Sequence, residues 1–382
     1  MLQITDSKIS DLLRQGENSS IEFKETLSRP ESIAKEIIAF ANTQGGTLII
    51  GVSDSGVIKG LEVEDTEEYF SNVARNNIIP AIDVQVEKIV LDDKNITVVT
   101  VPKGRDKPYQ TLNHQFLIRV GSTNRVATQS ELMRLFQQSG IFHYDGVGLE
   151  NSSIKDINLT KITEYFDNYQ IDFSQEERPE NLLKNTDILT DNLQMSIAGA
   201  LVFSINPQKF LPDACISFAH FAGNEISEKL IDKQKITGTL DYQIDTTLAV
   251  IKNNIRNPSI INGSRTESQK FNYPDKVFRE LLVNACVHRN YSISGSRIRI
   301  FMFSNRIEII SPGRLPNTVT IEKLSFGVSY SINPIIVKFM ENLRYIDKLG
   351  RGLPMVCKIA KDNQKSIQFE ELGEEFKVTL EL

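Results

Sequence analysis

Residues 279–289 read Arg279-Glu280-Leu281-Leu282-Val283-Asn284-Ala285-Cys286-Val287-His288-Arg289. Glu280, Asn284 and His288 recur at i, i+4 spacing, so in a helix a carboxylate, an amide and an imidazole share one face. Leu281, Leu282, Val283 and Ala285 can cover the opposite face, which predicts a helix wedged between a core and a polar site. A Glu that activates water and an Asn that holds a phosphate-bound Mg²⁺ need this proximity. The plainer alternative is an amphipathic helix with a capped polar face.

Two later segments strengthen the first reading. An alternating strand is expected over residues 297–310, and Ser311-Pro312-Gly313-Arg314-Leu315-Pro316 breaks it where a ligand could approach the backbone. Further on, Lys348-Leu349-Gly350-Arg351-Gly352 opens a helical pattern behind two glycines, which leaves free N–H groups for a phosphate. In residue type and order the three motifs resemble the GHKL ATPases, the superfamily of gyrase B, histidine kinases and MutL. They resemble most the divergent GHKL module at the C-terminus of RecG-related proteins, whose pattern includes Asn-Ala-x-x-His-Arg and Ser-Pro-Gly-x-Leu-Pro.

That resemblance implies a Bergerat-type α/β sandwich that binds ATP with Mg²⁺. Glu280 is then the catalytic carboxylate and Asn284 a metal ligand. His288, Arg289, Gly313, Gly350 and Gly352 join Asn284 in the cofactor-binding set. The chain departs from the GHKL pattern twice: Ser311-Pro312-Gly313 supplies no Asp for adenine, and Ile332 stands where the lid segment 327–334 usually carries an Arg. No Gly-x-x-x-x-Gly-Lys-[Ser/Thr] loop occurs, so no helicase motor is expected.

The N-terminal third carries a second constellation. Ile21-Glu22-Phe23-Lys24 alternates as a half-buried strand with a carboxylate beside an ammonium on its polar face. A helix is expected from about Pro30 to Asn42. Gln44-Gly45-Gly46 then makes a turn, and a buried strand over 47–52 ends at Asp54. Glu22-Phe23-Lys24, Ala39-Phe40-Ala41-Asn42-Thr43-Gln44-Gly45-Gly46 and Ile50-Gly51-Val52-Ser53-Asp54 resemble the Schlafen AlbA-like domain over roughly residues 10 to 135. In the Schlafen proteins that cut tRNA the acidic site is two Glu five residues apart plus an Asp after the strand that follows Gly-Gly. The resemblance carries those roles onto Glu17, Glu22 and Asp54, with Lys24 contacting phosphate.

Three clustered carboxylates repel one another unless a cation neutralises them. Oxygen ligands suit Mg²⁺ or Mn²⁺, which could orient a water against a phosphodiester. The alternative gives Glu17 a place before the strand, pairs Glu22 with Lys24 and makes Asp54 a turn residue. Lys103, Arg105 and Lys107 beside Tyr109, and Arg119 and Arg125 around a turn, are candidate phosphate contacts.

With 382 residues the chain has room for two or three domains. The expected fold class is α+β. A nucleic-acid-binding or nuclease domain is placed at 1–140, a helical and loop connector at 141–195 and the GHKL-type module at 196–382. Within the last, residues 197–203 and 214–220 are read as strands, 240–255 as a helix, and the stretch from Ser366 to Leu382 as two closing strands with no winged helix after them. A net charge of −6 excludes a globally basic binder but not a local groove. The three cysteines and four histidines show no ligand spacing.

No run approaches a membrane span, and the first six residues lack the pattern of a signal peptide, so a cytoplasmic, non-membrane protein is expected. Two functions follow. One is a metal-dependent nuclease, acting on RNA such as tRNA and governed by ATP, in stress or phage defence. The other is an ATP-responsive, DNA-binding regulator without nuclease activity. Nucleic acid and ATP are the expected partners of either, in a homo-oligomer.

Overall fold

The computed structural model describes residues 6–62, 65–226, 229–256, 273–317, 319–327, 330–347 and 350–382. The first five residues, and Val328, Ser329, Lys348 and Leu349 of the lid and glycine motifs, lie outside them. The chain divides into two compact units, Met1–Phe142 and His143–Leu382.

The first unit runs α1 (Asp6–Gln15), β1 (Ile21–Lys24), α2 (Pro30–Asn42), β2 (Gly46–Ile50), α3 (Thr66–Asn76), β3 (Ile78–Ile79), β4 (Gln85–Leu91), β5 (Lys94–Val101), β6 (Gln110–Thr111), β7 (Leu117–Val120), β8 (Thr123–Val126) and α4 (Gln129–Gln138). Its main sheet has the order β1-β2-β5-β4, with β1 parallel to β2 and the other pairs antiparallel. Both faces are covered. Leu48, Ile50, Val99 and Val101 pack with Ile33, Ile37 and Phe40 of α2, while Ile21, Phe23, Ile49 and Val98 pack with Ile9 of α1. Pro30 occupies the first turn of α2, and α4 starts in a capping box in which Thr128 and Glu131 satisfy each other's backbone N–H.

The second unit continues with α5 (Leu159–Asp167), α6 (Pro179–Asn185), α7 (Ile197–Phe203), β9 (Ile216–Phe221), β10 (Leu230–Ile236), α8 (Leu240–Arg256), α9 (Asp275–Val287), β11 (Ile298–Met302), β12 (Arg306–Pro312), α10 (Ile321–Leu324), α11 (Pro334–Asn342), α12 (Gly352–Asp362), β13 (Ile367–Leu372) and β14 (Glu375–Glu381). The sheet order is β10-β9-β11-β12-β14-β13. Ile216, Ile298, Ile300, Ile307, Ile309 and Leu380 point into one core with α7, α8, α9, α11 and α12. On the other face Arg299 pairs with Glu375 (2.5 Å) and Lys377 with Glu370 (3.1 Å) between strands, and Arg306 with Glu308 (2.6 Å) along β12. The molecule is thus α+β, a unit built on a four-stranded sheet and a unit built on a six-stranded, helix-covered sheet.

Residues 141–195, expected as a connector, supply Ile157, Ile162, Tyr165, Phe166 and Leu183 to this same core. Residues 197–203 form α7 and not a strand: the run is buried on all sides, and the Ser196 hydroxyl caps it by accepting the Gly199 N–H at 2.8 Å. The continuous strand expected over 297–310 is a hairpin, with Met302 opposite Ile307. No helix of the described residues is long and apolar enough to cross a membrane.

Candidate functional site

In α9 the expected stripe forms. Val277, Phe278, Leu281, Leu282 and Cys286 are buried, while Glu280 and Asn284 are partly exposed. Asn284 Nδ2 donates to Glu280 Oε1 at 2.7 Å and to the Glu280 carbonyl at 2.8 Å, so the amide orients the carboxylate and keeps its own Oδ1 for a ligand. Burial raises the Glu280 pKa against that hydrogen bond, and the Asp347 carboxylate adds to the rise. His288 follows the helix, exposed to a cleft but crowded by protein, which pushes its pKa down to about 4 and leaves the ring neutral at pH 7.

The cleft has two chambers. The apolar one, about 110 Å³, is walled by Leu281, Ala285, Ile309, Val319, Phe376 and Val378, with Ser311 to Pro316 along one side. The polar one, about 520 Å³, is lined by Glu280, Ser331, Asp347, Gly350, Arg351 and Gly352. They meet along Asn284, His288, Leu324, Tyr330 and Leu353, which line both. The larger volume falls in the range of small-molecule sites, roughly 300–1,000 Å³.

Each motif has a local cause. Ser311 Oγ donates to the Ala285 carbonyl (2.8 Å), the Asn290 N–H to the Pro312 carbonyl (2.7 Å), and the Gly313 N–H to the Glu374 carbonyl (2.7 Å), which fastens β12 to the end of α9 and to the β13–β14 turn. Gly313 has φ +127°, and a Cβ there would lie 3.0 Å from that of Asn290. Gly350 has φ +64°, and α12 begins at Gly352 with its N-terminus at the polar chamber, a position that favours anions. A Cβ on Gly352 would meet Glu280 Oε1 at 1.7 Å, so the missing side chain is what admits the carboxylate. Asn333 is buried and donates to the Val287 and Arg289 carbonyls, both at 2.8 Å, closing the end of α9.

Arg289 is not in the cleft, contrary to expectation. It is buried, donates to the Asp213, Ile293 and Ser296 carbonyls and lies over the Tyr291 ring (4.7 Å). Three loop carbonyls take its Nη2, at 3.3, 3.4 and 2.7 Å, and fix it behind the loop that follows α9.

In the first unit Glu22 is buried and lies on the α2 face, in register with Leu48. Arg119 of β7 reaches it. Its Nη2 donates to Glu22 Oε2 (2.7 Å), Asn18 O (2.9 Å) and Ile21 O (3.1 Å), its Nη1 lies 3.6 Å from Glu36 Oε2, and its guanidinium sits over Phe40. Lys24 bonds the other oxygen of Glu22, and Asn124 bonds Glu36. Burial alone would lower the Lys24 pKa, but the bond to Glu22 and the fields of Glu36, Glu22 and Glu17 raise it. Burial, then Glu22, raise Glu36.

The Glu17, Glu22 and Asp54 set does not fit a divalent cation as placed. Both Glu22 oxygens serve Lys24 and Arg119, Glu17 Oε1 accepts the Phe23 N–H (3.0 Å), and Asp54 is exposed in a turn after β2. Among the described residues no three His, Cys, Asp or Glu groups converge. The carboxylates that do come together are Glu22 and Glu36, and Lys24 and Arg119 each lie against both. Lys107 also departs from the proposed phosphate cluster: it is 1 % exposed and donates to the Thr43 carbonyl (2.7 Å). Arg125 pairs with Glu131, whereas Lys103 and Arg105 line a groove of about 400 Å³ with Asp83, Asp106 and Tyr109.

The first unit thus holds a buried charge network, and the second a two-chambered cleft beside the helix that carries Glu280 and Asn284. Residues 17–128 match the family described as "Schlafen, AlbA_2", and residues 295–380 match the one described as "Putative ATP-dependent DNA helicase recG C-terminal". The chain therefore carries a Schlafen AlbA_2 domain followed by a RecG C-terminal-like ATPase-type domain. No curated protein matches it.

Two solved structures are similar. One is the DIP2311 protein from Corynebacterium diphtheriae, at 19% identity and TM-score 0.47, covering 98% of this chain and 68% of that one. The other is the N-terminal domain of a putative ATP-dependent DNA helicase RecG-related protein from Nitrosomonas europaea, at 23% identity and TM-score 0.23, covering 31% of this chain and 93% of that one.

Proposed function

We propose that the chain is an ATP-responsive nucleic-acid-binding protein. The observation that carries this is the pair of chambers meeting at Asn284 and His288, one apolar enough for a base, the other opening on a helix N-terminus suited to phosphates. Asn284, through Oδ1, is the residue to hold a nucleotide-bound Mg²⁺, whose chemistry is to neutralise phosphate charge. Glu280, held by the Asn284 amide and raised in pKa, is the group to take a proton from an attacking water if turnover occurs. Gly350, Gly352 and Arg351 line the phosphate end.

Calorimetric titration with ATP and Mg²⁺ tests this. Wild type should bind, Asn284→Ala should lose at least about tenfold in affinity, roughly 1.4 kcal/mol, and Glu280→Gln should bind while any turnover stops. Undiminished affinity in Asn284→Ala would remove the assignment.

For the N-terminal domain we favour binding over cleavage, because the Glu22 oxygens are already paired with Lys24 and Arg119. The competing reading, an Mg²⁺- or Mn²⁺-dependent endoribonuclease acting through Glu17, Glu22 and Asp54 with Lys24, is separated by incubating wild type and Glu22→Gln with labelled tRNA and DNA, with Mn²⁺ or EDTA. We expect no Mn²⁺-dependent cleavage by wild type and nucleic-acid binding that survives in Glu22→Gln. Cleavage abolished by EDTA and by Glu22→Gln would establish the nuclease.

A further inference from the structure

The apolar chamber contains little that reads a base. Among the described residues no Asp or Glu lines it. Ser311 Oγ donates to the Ala285 carbonyl, the Arg314 Nε to the Gly373 carbonyl at 2.6 Å, and the Leu315 N–H to Glu371 Oε1 at 2.8 Å. The Gly313 N–H is held by Glu374. Among the described residues the polar side chains left on its wall, besides Asn284, are Tyr330 and His288, both shared with the polar chamber, and the terminal nitrogens of Arg314, whose Nε alone is taken by Gly373 and Glu374. A hydroxyl donates and accepts, and a neutral imidazole offers one nitrogen of each kind. Neither therefore distinguishes the amino edge of adenine from the oxo edge of guanine, and the Arg314 terminal nitrogens, which only donate, can meet the N7 acceptor that both purines carry.

A site built to hydrogen-bond one ligand rejects an analogue by ~10⁴–10⁵, because its buried groups are left unpaired, whereas an apolar pocket separates near-isosteres by only ~10–200. The phosphate end differs. Arg351 is exposed on the wall of the polar chamber, and its partner is Asp347 (2.6 Å), an exposed pair of the kind that exchanges readily for a better anion.

We propose that the cleft takes purine nucleoside triphosphates with little regard to the base, and that its selectivity lies in the triphosphate, with Arg351 leaving Asp347 to contact it. The inference rests on the nucleotide-binding reading above and names its ligand class. With a divalent cation present, ATP and GTP are expected to bind within about tenfold of each other, and adenosine at least about 100-fold more weakly than ATP.

The experiment is a calorimetric titration of the full chain with ATP, GTP and adenosine in Mg²⁺, repeated on Arg351→Gln. That variant should weaken ATP and GTP by the same factor and leave adenosine unchanged. ATP binding with GTP more than about 100-fold weaker would overturn the proposal while leaving nucleotide binding intact. Adenosine as tight as ATP, or an Arg351→Gln variant indistinguishable from wild type, would overturn its phosphate half. Failure of both triphosphates to bind would overturn this inference together with the reading beneath it.

Discussion

At Gly352 a single hydrogen atom carries two duties. The sequence gives one reason for glycine, the approach of a phosphate to the backbone. The structure supplies another, since the carboxyl of Glu280 occupies the space a Cβ would need. Alanine there would push Glu280 away and break its bond to Asn284, leaving two partly buried polar groups badly paired. We therefore expect Gly352→Ala to destabilise the nucleotide-free protein by about 1–3 kcal/mol, as overpacking does, measured by urea denaturation of the second unit's transition. Unchanged stability without nucleotide, combined with a lost nucleotide response, would show that glycine serves the ligand alone. A close approach of this kind is not legible in sequence, because Glu280 and Gly352 lie on different elements.

At the scale of elements, legibility followed the strength of local signals. Pro30 at a helix start and the i, i+4 stripe of α9 are short-range patterns, and each element formed where its pattern pointed. Residues 197–203 misled because a wholly apolar run lacks the periodicity that separates helix from strand. The β11–β12 hairpin was hidden because Phe303-Ser304-Asn305 turns without Gly or Pro. Within the candidate sites, Glu280 and Asn284 on α9 and His288 at its C-cap line the cleft together, as their i, i+4 spacing suggests. Arg289 does not, since a residue beyond the last turn can swing away from the stripe. The partnership of Glu22 with Arg119 and Glu36 joins β1, β7 and α2, and no spacing rule spans such separations.

For the whole molecule, each unit has a core of its own, with Ile37, Phe40 and Leu48 in the first and Ile216, Leu282 and Ile300 in the second. A chain cut to residues 143–382 should therefore fold and bind ATP with the affinity of the full chain, within about threefold, by calorimetry. An unfolded or non-binding fragment would show that the division at Phe142 is not one of stability. The first unit imposes a different constraint, one of time. Arg119, whose guanidinium compensates Glu22 and approaches Glu36, lies 97 residues after Glu22. At ~5–20 residues per second of synthesis, β1 and α2 wait on the order of 5–20 s for that cation. Until it emerges from the ribosome, Glu22 of β1 and Glu36 of α2 have Lys24 alone of these two cations, and the buried network that joins them stays incomplete.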